Sequence, residues 1–359
     1  MIDQGRHTEI NAIILDEYRF ANIESNNQAL GSIKDKILSA RKITTITHPN
    51  PDPDAIGSSY AFYKIAKLLN PDAQNRILLP TESPYNTDFI SEGEELEVVT
   101  DSTEVDEAES LFVLDIGDLK RVKKLVELFN PQEIANIDHH PGSPGLMYSD
   151  TVGINLVDGN FESTTEILYW MAKKCKLPIS SALATSLLFG LFGDTESFAD
   201  INLSPRLDLV RYDLKNLGAD ENSIVLNSVR AIDQEELRLA AHALERLVVK
   251  DNFSYVALNY EDFSRLSREL SKPFEKAVVV EMLRRIEGVD FGFVMIEQEP
   301  DSIQCSLKAR TDNVDLSQIA ESYGGGGHPL SSGFRLKGNF EDTLENVIAS
   351  CISRSSESR

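Results

Sequence analysis

The sequence predicts an α/β protein of two domains, a larger one with a doubly wound parallel sheet and a smaller mixed α/β one. Three observations support this prediction. Short apolar or β-branched segments end at polar loops, as the strands of an open parallel sheet do. The length of 359 residues exceeds the size at which a single hydrophobic core stops growing. Beyond residue 247 the composition shifts to β-like stretches.

Three predicted strands of the larger domain each lead directly to a residue that can bind a metal ion. In a doubly wound sheet the ligand crevice lies outside the carboxyl ends of the strands, so the three following loops can converge. A fourth acid, Asp194, follows the apolar stretch 186–193. The strands, each with the residue that follows it, are 42–47 with His48, 111–114 with Asp115, and 134–137 with Asp138.

The types of these residues indicate divalent metal ions. Four of the six histidines lie beside carboxylates or glycines, and no cysteine is near them. Carboxylates with a few imidazoles suit Mn²⁺ or Mg²⁺ better than a thiolate-preferring ion. Two such ions roughly 3.5–4 Å apart can clamp the attacking and leaving oxygens of a phosphoryl displacement, which predicts phosphoester hydrolysis. The candidate metal ligands are His48, Asp52, Asp54, Asp115, His139 and Asp194.

Five motifs follow one another along the chain. They are the segment 48–58 (HPNPDPDAIGS), Asp115, Asp138–His140, Gly193–Thr195, and Gly324–His328 with the following 331–333. An isolated Asp-x-Asp pair in so acidic a chain would be an ordinary solvated turn, but the ordered set favours a metal site. Over residues 32–350 the chain resembles the DHH phosphoesterase superfamily with its DHHA1 accessory domain. Within it, the resemblance points to the nanoRNase/pAp-phosphatase subgroup and related cyclic-dinucleotide phosphodiesterases.

The resemblance implies a role for each motif residue. His140 would contact the scissile phosphate and stabilise its developing negative charge. Asp138 would orient the neighbouring imidazoles. The nucleophile would be a hydroxide activated by two metal ions, between which Asp115 forms a bridge. The implied ligand sets are His48, Asp52 and Asp115 for one ion, and Asp54, Asp115, His139 and Asp194 for the other.

Two departures from the family pattern concern the metal loop and the substrate contacts. Pro53 stands between two aspartates, where the family usually has glycine. Residues 306–310 read SLKAR where the family commonly has Ser-Leu-Arg-Ser, so Lys308 keeps the positive charge without the bidentate fork of arginine. Alternation along a strand puts Lys308 and Arg310 on the same face, and it permits either one to bind substrate.

The glycine-rich segment before His328 has two interpretations. Polyglycine is by default a flexible linker. Here, however, it follows the amphipathic stretch 314–322 and precedes the apolar residues 333–336. Glycines let backbone N–H groups approach a phosphate closely, and an imidazole can add a further donor. We therefore predict a phosphate-binding segment made of Gly325, Gly326, Gly327 and His328.

Helices are predicted in both domains. Residues 54–69 form a helix that starts in the metal loop, and residues 163–170 open with a capping-box pattern that we interpret as scaffold. In the smaller domain a helix over 274–286 lies between β-like stretches. The predicted limits are 1–31 for an N-terminal extension, 32–215 for the DHH catalytic domain, 216–247 for a helical connector and 248–353 for the DHHA1 substrate-binding domain.

Charge and composition bound the partners and the compartment. A formal net charge of −23 disfavours binding to long nucleic acid, which depends on basic surface that releases counterions. No apolar run of about 18 residues and no leader sequence is present, so we expect a cytoplasmic protein without a membrane partner. Three cysteines that fit no metal spacing suit a reducing compartment.

The predicted function is metal-dependent hydrolysis of short oligonucleotides to nucleoside monophosphates, with pAp or linear dinucleotides as further substrates. Two divalent ions, Mn²⁺ before Mg²⁺, are the predicted cofactors. A second hypothesis for an enzyme is a cyclic-dinucleotide phosphodiesterase or a polyphosphate-type hydrolase. An alternative from another class is a nucleotide-binding sensor with an inactive site. The family resemblance is also compatible with a homodimer.

Overall fold

The chain divides into two compact units, Met1–Ala231 and Ile232–Arg359. The division falls inside the predicted connector 216–247, and the predicted domain limits themselves stay predictions. Most of the predicted N-terminal extension lies outside the described residues. The structure is a computed structural model, and it describes residues 24–100, 103–104, 110–129, 134–140, 152–199, 203–229, 234–267 and 276–357.

The first unit is built on a six-stranded parallel sheet. Its strands are β1 Lys42–Ile46, β2 Gln74–Leu79, β3 Leu96–Val98, β4 Ser110–Leu114, β5 Ile134–Asp138 and β6 Val152–Val157. They lie in the order β3-β2-β1-β4-β5-β6, and each neighbouring pair is parallel. The order reverses between β1 and β4, which is where open α/β sheets bind their ligands.

Helices cover both faces of this sheet. Along β4, Phe112 and Leu114 belong to one hydrophobic core, and Leu111 and Val113 to a second one. This alternation is what a strand buried on both faces requires. The helices are α1 Glu24–Ser39, α2 Pro53–Leu69, α3 Asp88–Ser91, α4 Lys123–Phe129 after a 3₁₀ turn at Leu119–Val122, α5 Thr164–Lys174, α6 Ser181–Asp194, α7 Arg206–Asn216, and α8 Glu221–Ile224 with a following π turn at Val225–Val229.

Helices α2 and α6, which carry the predicted ligands Asp54 and Asp194, pack closely against each other. A methyl group on Gly57 of α2 would lie 2.7 Å from the carbonyl oxygen of Ser186 and 2.8 Å from the nitrogen of Gly190 on α6. Only residues without a Cβ fit at such a distance. The apolar stretch before Asp194 is thus a buried helix, and Asp194 is its last residue.

The second unit contains a six-stranded mixed sheet. Its strands are β7 Val248–Lys250, β8 Phe253–Leu258, β9 Phe291–Glu299, β10 Ser302–Ala309, β11 Gly326–His328 and β12 Ser331–Lys337. The order is β11-β12-β10-β9-β8-β7, with β8 and β9 parallel and the other pairs antiparallel. The two sheets, one parallel and one mixed, confirm the predicted fold class.

Helices also cover both faces of the second sheet. Val256 and Val294 belong to the core formed with α9 Gln234–Leu244 and α11 Lys276–Arg284. Phe253 and Phe293 belong to the opposite core with α12 Leu316–Glu321 and α13 Phe340–Glu357. A further helix, α10, spans Tyr260–Ser267. Across the described parts of the chain, no helix combines the length and the apolar character that crossing a bilayer requires.

Candidate metal centre

Three of the predicted ligands lie in the loop after β1 and in the first turn of α2. His48 follows β1 and is buried, and Asp54 is fully buried in the first turn of α2. Asp52 is the N-cap residue of that helix, and its Oδ1 accepts a hydrogen bond from the N–H of Ala55 at 3.0 Å. Pro53 is the first helical residue, where no backbone N–H is needed and a fixed φ is suitable. The proline that departs from the family pattern therefore fits this loop.

Asp115 lies at the centre of the cluster, directly after β4. Its backbone is left-handed, with φ of 56°, and its N–H donates to Ile137 O at 3.0 Å. Nε2 of His48 is 3.6 Å from Oδ2 of Asp115. Nε2 of His139 is 3.7 Å, and Nδ1 of His140 3.6 Å, from Oδ1. The two carboxylate oxygens of Asp115 thus face different imidazoles.

The Asp-His-His motif at the end of β5 supplies two differently held imidazoles. Nε2 of His139 lies 3.1 Å from Oδ2 of Asp194, and its Nδ1 lies 3.4 Å from Phe161 O. Nδ1 of His140 is 2.7 Å from Oδ1 of the buried Asp138, which also accepts the backbone N–H of His140 at 3.2 Å. The Asp138 carboxylate therefore orients His140, whose side chain is 34% exposed.

Two residues that the sequence did not mark as functional also contact the ligands. Thr164 and Thr165 begin α5 and donate hydrogen bonds to the carboxylate of Asp54. The Thr164 hydroxyl also donates to Oδ1 of Asp115 at 3.2 Å. The capping-box pattern at Ser163 correctly marked the helix start, since Ser163 Oγ accepts from the N–H of Glu166 at 3.0 Å. No local pattern showed that this start faces Asp54.

Burial and crowded carboxylates shift the pKa values of the cluster. Burial lowers the pKa of His48, but the carboxylates of Asp115 and Asp52 outweigh it and raise that pKa to about 10. Burial and the charge of Asp194 raise the pKa of Asp54 well above its usual range. Burial likewise raises the pKa of Asp194 to about 6. Divalent cations would relieve this repulsion, and their binding would release protons.

The donor atoms fall into three overlapping sets, within each of which they lie within 4.8 Å of one another. Oδ2 of Asp194 is buried and lies 3.1 Å from Nε2 of His139. A carboxylate oxygen and an imidazole nitrogen so close together are donors that a divalent ion such as Mn²⁺ can share. The residues present therefore fit divalent ions. The sets are His48, Asp52 and Asp115; Asp54, His139 and Asp194; and Asp115, His139 and His140.

The two positively charged side chains predicted to bind substrate belong to the second unit. Lys308 lies on β10, and Arg310 follows the end of that strand. Nζ of Lys308 is 3.9 Å from Oε2 of Glu281 on α11. Nη1 of Arg310 donates to Ile286 O, two residues after α11, at 3.0 Å. Both side chains thus reach towards the same helix, as alternation along a strand requires. Their contact with substrate stays a prediction.

The glycine-rich segment follows α12 and continues into strand β11. The N–H of Gly325 donates to Ala320 O at 2.9 Å, which caps α12. A Cβ on Gly325 would lie 2.2 Å from Gly333 O, so close packing against β12 excludes any side chain there. The N–H of Gly325 is consequently engaged within the fold and is not open to a phosphate in this conformation. The phosphate-binding role of residues 326–328 stays a prediction.

Two domain models match the chain, the DHH family N-terminal domain over residues 42–191 and the DHHA1 domain over residues 274–354. The bifunctional oligoribonuclease and PAP phosphatase NrnA of Mycoplasma genitalium is 22% identical over 333 residues, which are 90% of this chain and 98% of that protein. The cyclic-di-AMP phosphodiesterase GdpP of Geobacillus thermodenitrificans is 24% identical over 345 residues, 88% of this chain and 48% of that protein.

A solved structure supports the fold. The crystal structure of an exopolyphosphatase-related protein from Bacteroides fragilis matches with a TM-score of 0.75 at 20% identity, covering 91% of this chain and 96% of that one. Together the two domain matches span more than half of the chain and include most of the motifs that first suggested the resemblance. The chain therefore belongs to the DHH family of phosphoesterases, as an enzyme that hydrolyses phosphoester bonds and carries a DHHA1 domain.

Proposed function

We propose that this protein is a Mn²⁺-dependent phosphodiesterase that hydrolyses short oligonucleotides to nucleoside monophosphates and also accepts pAp and linear dinucleotides. The observation that carries the proposal is the meeting of six carboxylate and imidazole side chains that could bind metal at the switch point of the parallel sheet. This donor set suits Mn²⁺, with Mg²⁺ as the alternative ion. A relative named as an oligoribonuclease and PAP phosphatase matches over nearly its whole length, which supports the substrate class.

The proposed ligand sets share Asp115. Its Oδ2 faces His48 and its Oδ1 faces His139, which supports a bridging position between two ions. When bound, such ions would supply Lewis acidity, both to activate water and to neutralise charge on the phosphoryl oxygens. The proposed set for one ion is His48, Asp52 and Asp115. For the other ion it is Asp54, His139 and Asp194, joined by Asp115 through its approach to His139.

His140 is the proposed contact for the scissile phosphate. Burial lowers the pKa of His140, but the hydrogen bond to Asp138 outweighs it and raises the pKa. The protonated imidazole is thereby favoured, and it can donate to a phosphate oxygen as negative charge develops there. Its side chain is more exposed than those of His48 and His139, which supports contact with a substrate.

The preference for short substrates follows from charge and from the second unit. A formal net charge of −23 disfavours the extended backbone contacts that hold long nucleic acid. In the proposal, Lys308, Arg310 and the segment 326–328 bind the terminal phosphate of a short strand. Their positive charge and hydrogen-bond donors suit that group.

The experiment is a product assay with Mn²⁺. The panel contains pAp, linear RNA and DNA of two to ten nucleotides, cyclic di-AMP and pyrophosphate, and release of mononucleotide and phosphate is measured. We expect the highest turnover on the shortest linear oligomers and loss of turnover in the isosteric variant Asp115→Asn. Turnover confined to pyrophosphate, or equal turnover by the variant, would contradict the proposal.

A second candidate is hydrolysis of cyclic dinucleotides. It is supported by the relative named as a cyclic-di-AMP phosphodiesterase, although this chain spans 48% of that protein's length. Turnover of cyclic di-AMP without turnover of linear oligomers would favour this candidate. Nucleotide binding without any product would instead favour a sensor whose metal site is inactive.

A further inference from the structure

The start of α5 lies against the carboxylates of the metal centre. Ser163 is the N-cap residue of this helix, and Thr164 and Thr165 are its first two residues. All three are buried. A capping sequence with an ordinary scaffold role needs polar side chains for the helix backbone, but it has no reason to bind carboxylates from other elements. The contacts of Thr164 and Thr165 therefore indicate a second role.

The two threonines occupy most of the hydrogen-bonding capacity of Asp54. Oδ1 of Asp54 accepts from the N–H of Thr165 at 3.0 Å and from its hydroxyl at 2.7 Å. Oδ2 accepts from the N–H of Thr164 at 2.7 Å. An ionised carboxylate offers roughly four lone-pair positions, two on each oxygen. One position on Oδ2 is therefore left for a cation, and Oδ1 has none.

Two neighbours hold this arrangement in place. The Ser163 and Thr165 hydroxyl oxygens are 2.8 Å apart. Because the Thr165 hydroxyl donates to Asp54, the Ser163 hydroxyl must donate to Thr165, and this fixes the direction of both bonds. On the other side, a methyl group on Gly190 would lie 2.5 Å from Oδ1 of Asp54, so α6 closes that side of the carboxylate. Asp54 is thus held from two directions.

Thr164 also connects Asp54 with Asp115. Its N–H donates to Asp54 and its hydroxyl donates to Oδ1 of Asp115 at 3.2 Å, so one residue sets the relative position of two carboxylates. The hydroxyl leaves Oδ2 of Asp115, which faces His48, unconstrained by this helix. Hydrogen bonds of this kind orient metal ligands and raise metal affinity.

We propose that Thr164 and Thr165 are positioning residues of the metal centre, which restrict Asp54 to single-oxygen coordination through Oδ2 and fix Asp115 relative to it. This inference rests on the proposed function in that it takes Asp54 and Asp115 as ligands of divalent ions. It does not depend on which phosphoester is hydrolysed. Outer hydrogen-bond partners of metal ligands typically contribute roughly 10–100-fold to metal affinity.

The test measures binding of Mn²⁺ alone to the metal-free full-length protein by isothermal titration calorimetry. Thr164→Val and Thr165→Val each remove one hydroxyl and keep the β-branched shape and the backbone N–H. We expect each to weaken Mn²⁺ binding by roughly 10–100-fold. Thr164→Ser and Thr165→Ser restore the hydroxyl and should bind Mn²⁺ with nearly the wild-type Kd.

A matched control is Thr185→Val on α6. The Thr185 hydroxyl is also buried and hydrogen-bonded, to Ser181 O at 2.7 Å and from the N–H of Asp220 at 2.9 Å, but it contacts no metal-ligand candidate. This variant should melt at a lower temperature and still bind Mn²⁺ like the wild type. An equal loss of Mn²⁺ affinity in Thr185→Val would show a general effect of stability and overturn the proposal.

The remaining outcomes separate this inference from the proposed function. Wild-type Mn²⁺ affinity in folded Thr164→Val and Thr165→Val would overturn the positioning role and leave the metal centre intact. Absence of Mn²⁺ binding by the wild type would overturn both. Tight binding by the wild type, weak binding by the valine variants and no turnover of any oligonucleotide would support the positioning role and refute the proposed substrate.

Discussion

Replacing Gly190 by alanine tests the close contact of α6 with Asp54, a proposed metal ligand. A methyl group there would lie 2.4 Å from Cγ2 of Thr165 and 2.5 Å from Oδ1 of Asp54, and real Cβ contacts are essentially never so short. Either the helix or the carboxylate must move. The substitution should therefore weaken the Thr165–Asp54 hydrogen bonds and the Mn²⁺ affinity together.

The expected change in the free energy of unfolding combines one stabilising effect with two destabilising ones. Alanine stabilises a helix interior by about 1 kcal/mol relative to glycine. Overpacking of a buried site costs about 1–3 kcal/mol, and loss of a hydrogen bond to a charged group costs about 1.5–3 kcal/mol. The net destabilisation should be about 1.5–5 kcal/mol. For a unit of this size the melting temperature should fall by about 3–20 °C, at about 2–4 °C per kcal/mol.

Gly31→Ala is the matched control. Gly31 lies in α1, and nothing lies within 4 Å of the position its Cβ would take. Only the helix preference then acts, so this variant should melt about 2–4 °C higher than the wild type. Thermal unfolding of the metal-free proteins, followed by circular dichroism, measures both changes. An increase in melting temperature for Gly190→Ala equal to that of Gly31→Ala would refute the reasoning.

Three further predictions concern the proposed bridging ligand Asp115, the carboxylate of Glu281 on α11 and the thiols. Asp115→Asn keeps the shape of the side chain and removes its charge. Mn²⁺ affinity measured by calorimetry should therefore fall by more than the roughly 10–100-fold that follows loss of a hydrogen-bond partner of a metal ligand. Unchanged affinity would exclude Asp115 as a ligand. Burial raises the pKa of Glu281, but hydrogen bonds from Arg284 outweigh it and lower the pKa. The ionised Glu281 therefore stabilises the fold above the unfolded-state pKa of about 4.3, and this contribution disappears as the pH falls through the lower folded-state value. Glu281→Gln should then be less stable than the wild type by about 1 kcal/mol at pH 7 and equally stable in strong acid. Thermal melts at both pH values measure this difference in stability. A difference that grows in acid would contradict the predicted direction of the pKa shift. Burial raises the pKa of Cys351 to about 12 and also raises that of the half-buried Cys175. Iodoacetamide at pH 8 should thus label Cys175 slowly and Cys351 only after denaturation, as measured by mass spectrometry. Fast labelling of Cys351 in the folded protein would contradict the packing of α13.

The positions of several candidate site residues were predictable because they follow a general property of parallel sheets. His48, Asp115 and Asp138 each come directly after a predicted strand, and neighbouring parallel strands end at the same edge. Asp194 was less accessible to this argument, because the apolar residues before it form a helix buried on most sides. Such a helix shows no amphipathic period. Its place directly after the apolar stretch 186–193 made Asp194 a candidate, and the family motif supported it.

The contacts of Thr164 and Thr165 could not be predicted from local patterns. They are separated from Asp54 by 110 and 111 residues in the chain, and their contact depends on the angle at which α5 meets α2. The glycine-rich segment shows a different limit. Its sequence suits both phosphate binding and close backbone packing. Only the structure reveals that packing accounts for two of these glycines, because a Cβ would lie 2.2 Å from Gly333 O at Gly325 and 2.6 Å from Ser331 O at Gly327.

The central claim is that Asp115 bridges two divalent ions held by the carboxylate and imidazole ligands around it. Electron paramagnetic resonance of the Mn²⁺-loaded protein tests this claim most directly, because two Mn²⁺ ions roughly 3.5–4 Å apart are magnetically coupled. We predict a coupled-pair spectrum for the wild type and its loss in Asp115→Asn. A spectrum of isolated Mn²⁺ in the saturated wild-type protein would contradict the two-ion centre.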